Sequence, residues 1–298
     1  MTQRKLNKLR SEMTDQERKQ YGGPNISNLF RVFNSNLNEM WEDYISMNFY
    51  LRKIHEGVKS GDVVPVSILK LVLKPRLQPA DRKVIYGIIQ RIGKKTSGIH
   101  AFIDAVTLFE HFMSKLVLSV YMDFPNKLRG LNKDPVEEAD TRRKKLLDVI
   151  LESADRDEMI AKLIEEKIRG FFYGNPSDLF EKDKANIGFK THFKENQRSL
   201  VGAFQEITAR RNIIMHNDGR VDQKYLSEVP GSALKLGDAS FIDEVYLKEA
   251  LLAIKELAAS SAQLVATNIY KSPAKGKVDK VQKAAGRRRV AENRAGGN

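Results

Sequence analysis

Residues 206–225, EITARRNIIMHNDGRVDQKY, decide how the chain is read, because they gather polar chemistry at the end of what is otherwise a core helix. Taken from Leu200 at about 100° per residue, Phe204, Ile207 and Ile214 share one apolar stripe, and Arg211 falls near its centre. A guanidinium so placed is expected to be buried, at a cost of several kcal/mol unless a partner compensates it. Asn212 and His216 are four residues apart on a neighbouring face, and Asn217, Asp218 and Gly219 supply a helix stop. His216 therefore sits at a helix C-terminus, where the partial negative charge suits a proton donor. A histidine at such a place also serves as a simple capping group.

RNIIMHNDG followed by VDQKYL resembles the Arg-(Asn/Asp/His)-x-x-x-His signature of the HEPN superfamily, many of whose members are ribonucleases. The resemblance covers the second part of the chain only. It implies a small antiparallel helical bundle that dimerises, and RNA cleavage without metal or other cofactor, in which a ribose 2′-OH attacks its own phosphate. The catalytic residues it carries over are Arg211 and His216, with Asn212 orienting phosphate or histidine. It further implies a role in anti-phage defence or a toxin system, with an antitoxin or defence-system protein as a second partner beside RNA. Two other classes compete: a non-catalytic module that binds RNA or nucleotides or regulates a partner, and a helical adaptor whose basic ends dock on nucleic acid.

Glu110 lies on the helix expected over residues 99–121. There Phe102, Val106, Phe109, Met113, Leu116 and Val120 form a core stripe that stops at Asp123-Phe124-Pro125. Glu110 adjoins that stripe with Ile103, Met113 and Val117, so a carboxylate stands where an apolar group is expected. It is the candidate partner for Arg210 or Arg211, and the plain alternative is a surface glutamate on a wide helix face. Acidic residues near the arginine recur on this helix in HEPN proteins, so the resemblance places Glu110 with the catalytic set.

The 298 residues carry a net charge of +13 and are 41% hydrophobic, enough for a substantial core. Cysteine is absent, which excludes thiol nucleophiles, disulfides and cysteine-ligated metals and fits a reducing cytoplasm. No apolar run approaches the roughly 18 residues of a membrane span, and the charged start has no apolar core behind it. A soluble, cytoplasmic protein is expected. Residues 271–298 hold nine Lys/Arg against Asp279 and Glu292, and residues 1–20 hold six against three. Such ends attract phosphate by counterion release, and Arg287, Arg288 and Arg289, with Lys115 and Arg210, are the candidate RNA contacts. A tail of this composition is expected to be disordered, and aiding solubility is its alternative role.

Gly22-Gly23-Pro24 is expected to break the chain, with Ser27 capping a helix along Leu29, Phe33, Leu37, Met40, Trp41, Tyr44 and Leu51. VSILKLVLK, between Pro65 and Pro75, fits either a strand or two helical turns. From Pro79 an amphipathic helix runs into GKKTSG, residues 93–98, whose glycine spacing and Lys95 do not make a phosphate loop. His55, His100, His111 and His192 show no metal-ligand spacing. Residues 126–140 read as a loop, helices are expected over 141–151 and 157–172, and residues 174–188 as a polar connection able to cover a cleft. Asp243 is expected to cap the last helix. The reading is thus all-α: a basic arm over 1–24, an N-terminal helical region over 25–95, a HEPN-like bundle over 96–272 and a disordered basic tail over 273–298.

Overall fold

The computed structural model describes residues 14–62, 82–127 and 176–295, with residues 158, 159, 162, 164 and 170 between them. The described residues form helices and turns without a strand, as the 3.6-residue apolar spacing predicts. The elements are α1 (Asp15–Ser60), α2 (Arg82–Arg91), a π-helical turn π1 (Ile92–Thr96), α3 (Ser97–Asp123), α4 (Asp178–Glu181), α5 (His192–Asn196), α6 (Arg198–His216), α7 (Gln223–Glu228), α8 (Glu244–Asn268) and α9 (Lys277–Ala295). No described helix is long and apolar enough to cross a membrane. The segment VSILKLVLK, the loop expected over 126–140 beyond Lys127 and the helix expected over 141–151 lie outside the described residues, as does most of the one over 157–172.

The chain divides into two compact units that interleave in sequence. One comprises residues 1–34, 107–208 and 253–298, and the other residues 35–106 and 209–252. Residues 35–95 therefore cluster with 96–106 and 209–252, and no unit boundary falls at the expected 95/96 junction. The reason is visible at that junction. α2, π1 and α3 follow one another without an intervening loop, since Gly93 in π1 interrupts neither helix.

The first unit is centred on phenylalanines. Phe109 packs edge-on to Phe204 with ring centroids 4.9 Å apart, and Phe180 meets Phe204 at 5.5 Å and Phe193 at 5.2 Å. Phe189 lies 5.0 Å from Phe193, and Phe33 lies 6.3 Å from Phe109. The stripe expected on α3 is buried throughout. Residues 174–188, expected as a polar cover, instead supply core: Leu179, Phe180, Ala185 and Ile187 are buried, followed by Phe189. The polar residues between them make the turn. The Asp183 carboxylate accepts hydrogen bonds from the amides of Ile187 (2.9 Å), Gly188 (3.1 Å) and Lys190 (3.1 Å), which satisfies backbone that no helix satisfies.

Two expectations at the ends are corrected. α1 does not break at Gly22-Gly23-Pro24 but begins at Asp15. Proline removes a single donor from a 46-residue helix whose next turns are anchored by fully buried Ile26 and Phe30. Ser27 consequently lies inside the helix and not at its start, and its hydroxyl accepts a hydrogen bond from the Lys275 amide (3.2 Å). The basic tail is helical from Lys277 to Ala295, not disordered. Ala274, Val278 and Ala285 are buried, a sparse three-to-four stripe that the high charge of this segment masks. Arg288 reaches Glu256 at 2.8 Å, and the Glu256 side chain is only 5% exposed.

Two outcomes are expected from this packing. Arg288→Ala, which takes a charged donor from a buried carboxylate, lowers unfolding free energy by about 1–3 kcal/mol in denaturant titration; an unchanged midpoint would mean α9 does not dock through this pair. On α3, burial and then the Lys115 charge lower the His111 pKa below 6.5. The folded state thus binds fewer protons than the unfolded chain, and stability present above about pH 6.5 declines as pH falls. His111→Gln therefore shows a shallower loss of melting temperature than wild type between about pH 7 and 5.

Candidate functional site

The segment 206–225 lies mostly in the second unit, which begins again at Ala209, and its structure follows from how α6 ends. The helix stays regular to His216 and closes when the amides of Asn217 (2.9 Å) and Gly219 (3.0 Å) both donate to the Ile213 carbonyl. Asp218 and Gly219 take positive φ of 50° and 72°, and glycine is the residue that does so without Cβ strain. The chain then doubles back. Ser240 donates to Gly219 (2.7 Å), Val221 donates to Asp238 (2.9 Å), and Arg220 and Ala239 form an isolated antiparallel bridge. Asp222 caps α7 by accepting from the Tyr225 amide (2.7 Å). Val221 and Tyr225 thereby close a small core with Ala209 and Ile213, against which Leu226, Val229 and Leu234 pack.

This return loop gives the last turns of α6 a second buried face. In the second unit the buried face of α6 is Ala209 and Ile213, and at about 100° per residue Arg211 points roughly 160° from Ile213. Arg211 is half-buried there, about 40° from buried Ile207 and about 20° from buried Phe204, so it keeps the expected stripe without being fully buried. Its Nη1 donates to Asn212 Oδ1 at 3.3 Å, which leaves the Asn212 amide nitrogen on the other side of its side chain. His216, one turn beyond Asn212 as its spacing predicts, is exposed on the last turn. Because α6 does not unwind, Arg211 and His216 diverge by about 140° and one chain does not bring them onto one face.

Arg210 is a structural cation. Its guanidinium lies 4.1 Å from the centroid of the Tyr246 ring on α8, and its Nη1 donates to the Phe241 carbonyl at 3.2 Å. Sequence spacing carries no sign of Tyr246 as that partner. Asp243 caps α8 through the Tyr246 amide (2.7 Å), as expected, and so sets this ring under the arginine. Gly98 of α3 permits the same loop to approach, since a Cβ there would lie 2.7 Å from the Ile242 carbonyl. Glu110 is half-buried on α3 in the first unit, while Arg210 and Arg211 belong to the second. Among the other expected RNA contacts, Lys115 and Arg287 are exposed, Arg288 is paired with Glu256, and the Arg289 side chain is outside the described ones.

Comparison of the chain with protein-family models, with curated proteins and with solved structures gives no match.

Arg210→Ala removes both the ring contact and the Phe241 hydrogen bond, and is expected to lower stability by about 1–2 kcal/mol. Arg210→Lys retains charge without the planar fork and falls between the two. Melting curves of the three proteins check the order.

Proposed function

We propose that this chain is an endoribonuclease that cleaves single-stranded or looped RNA by 2′-OH attack, without a metal, and acts in anti-phage defence or a toxin system. The observation that carries the reading is the open end of α6, where an exposed His216 stands one turn beyond the Arg211–Asn212 pair. In the reaction the 2′-OH gives its proton to a general base as its oxygen bonds to phosphorus. The P–O5′ bond breaks, and His216 protonates the departing oxygen, leaving a 2′,3′-cyclic phosphate and a 5′-OH. Arg211 stabilises the charge of the phosphorane, and Asn212, its carbonyl held by Arg211, donates its amide to a phosphate oxygen.

The divergence of Arg211 and His216 on one helix is met by a second copy of the chain, each site taking residues from both. Exposed apolar residues in the same unit support such a surface: Met215 beside His216 is 53% exposed, Phe241 69% and Val245 66%. Beside this reading, a module that binds RNA at the same helix end without cutting it predicts retained binding and intact RNA.

RNA incubated with wild type in EDTA is expected to yield 2′,3′-cyclic ends, and His216→Ala to fold normally and lose roughly 10²- to 10⁴-fold in rate. An active His216→Ala protein would refute the mechanism. Mixing inactive Arg211→Ala with inactive His216→Ala protein restores part of the activity when the residues come from different chains, and restores none when they do not.

A further inference from the structure

The second unit contains a cavity of about 460 Å³, within the range of small-molecule sites, lined from α1, α2, π1 and the start of α8. Tyr44, Leu51, Ile89 and Ile242 make its apolar walls, and Arg52, Lys94, Asp243 and Glu244 bring two cations and two carboxylates to it. None of these residues belongs to the α6 end.

Two features distinguish it from a packing defect. Asn48, 7% exposed, lines it; its carbonyl accepts from Ser97 Oγ (3.2 Å), while the interaction of its buried amide nitrogen with the Tyr44 hydroxyl falls short of hydrogen-bond geometry and leaves that donor unsatisfied. An orphaned buried donor is costly and is rare in native structures, so one that borders a roomy cavity points to an acceptor brought from outside. The wall is also a π-helical turn, a rare element that recurs at functional sites, and Ser97 holds it by donating its backbone amide to the Ile92 carbonyl. This turn places Gly93 and Lys94 on the cavity, with Gly93 facing Asn48 and Leu51.

We infer that this cavity binds a small organic molecule with an apolar ring, a hydrogen-bond acceptor that meets the Asn48 amide, and both an anionic and a donor group at its outer end. The anion meets Arg52 and Lys94, and hydroxyl or ammonium groups meet Asp243 and Glu244. The carboxylates are what exclude a bare anion. Tyr44 shows that they share one locality: burial, then Glu244 and Asp243, raise its pKa, while Arg52 and, last, the Asn48 side chain oppose the rise. A nucleoside monophosphate and an aromatic amino acid both present this chemistry.

Titration calorimetry of the full chain with adenosine 5′-monophosphate and, separately, with L-tyrosine tests the assignment. One of the two is expected to bind with Kd below ~1 mM, and which one identifies the source. Asn48→Leu weakens that binding at least tenfold with little change in melting temperature, because it removes the unsatisfied donor while Ser97 Oγ, losing Asn48, keeps the Gly93 carbonyl as acceptor (3.3 Å). Should Asn48→Leu fail to fold, Arg52→Ala with Lys94→Ala, both at exposed positions, is expected to weaken binding by a similar factor. His216→Ala binds as wild type, which separates this site from the proposed ribonuclease centre. Absence of binding by both probes, binding unchanged in Asn48→Leu or in the Arg52/Lys94 double variant, or displacement by equimolar inorganic phosphate would each overturn the inference.

Discussion

Burial of Phe109, Phe180 and Phe204 against one another is the interaction on which the first unit depends. Each ring contributes about 1.5–3 kcal/mol by leaving water, and tilted contacts near 5 Å add further attraction. Phe180 is the informative member because it belongs to an irregular segment. Ordering such a segment costs about 1–2 kcal/mol per residue in backbone entropy, which polar turn contacts alone do not offset. Leu179, Phe180, Ile187 and Phe189 supply the apolar burial, and the Asp183 carboxylate satisfies the amides that the turn exposes.

The second unit is organised by charge and hydrogen bonding to a greater degree. Its small core of Ala209, Ile213, Val221 and Tyr225 forms because the chain reverses after α6, and that reversal rests on positive φ at Asp218 and Gly219 and on the Asp222 cap. The two adjacent arginines of α6 consequently do different things. Arg210 is spent on Tyr246 and the Phe241 carbonyl, while Arg211 stays beside Asn212 toward the accessible helix end. One residue of helical rotation, about 100°, separates a structural cation from a candidate catalytic one.

The proposed ribonuclease centre and the cavity differ in what they require. The α6 end presents exposed or half-buried polar groups on diverging faces, so the proposed chemistry is one that would require a second copy of the chain. The cavity is formed within one unit and carries a buried donor, so its occupancy depends on ligand alone. A ligand that satisfied Asn48 would stabilise the unit by mass action, whether or not RNA is present.

Local sequence determined the all-α class, the α3 stripe, the end of that helix before Phe124-Pro125, the stop at Asn217-Asp218-Gly219 and the cap at Asp243, because each is a local matter of helical period or of one side chain meeting one amide. Tertiary structure decided the rest. The tail became a helix because Val278 and Ala285 find a surface to bury, and α1 ran through Gly-Gly-Pro because the packing beyond it outweighs one lost donor. The return loop, and not the helix's own period, gave the last turns of α6 a second buried face at Ala209 and Ile213, while Arg211 stayed half-buried on the expected stripe. The cavity was legible nowhere in the sequence: its lining comes from residues 44–55, 89–94 and 242–244, and only the fold brings together segments so far apart in the chain.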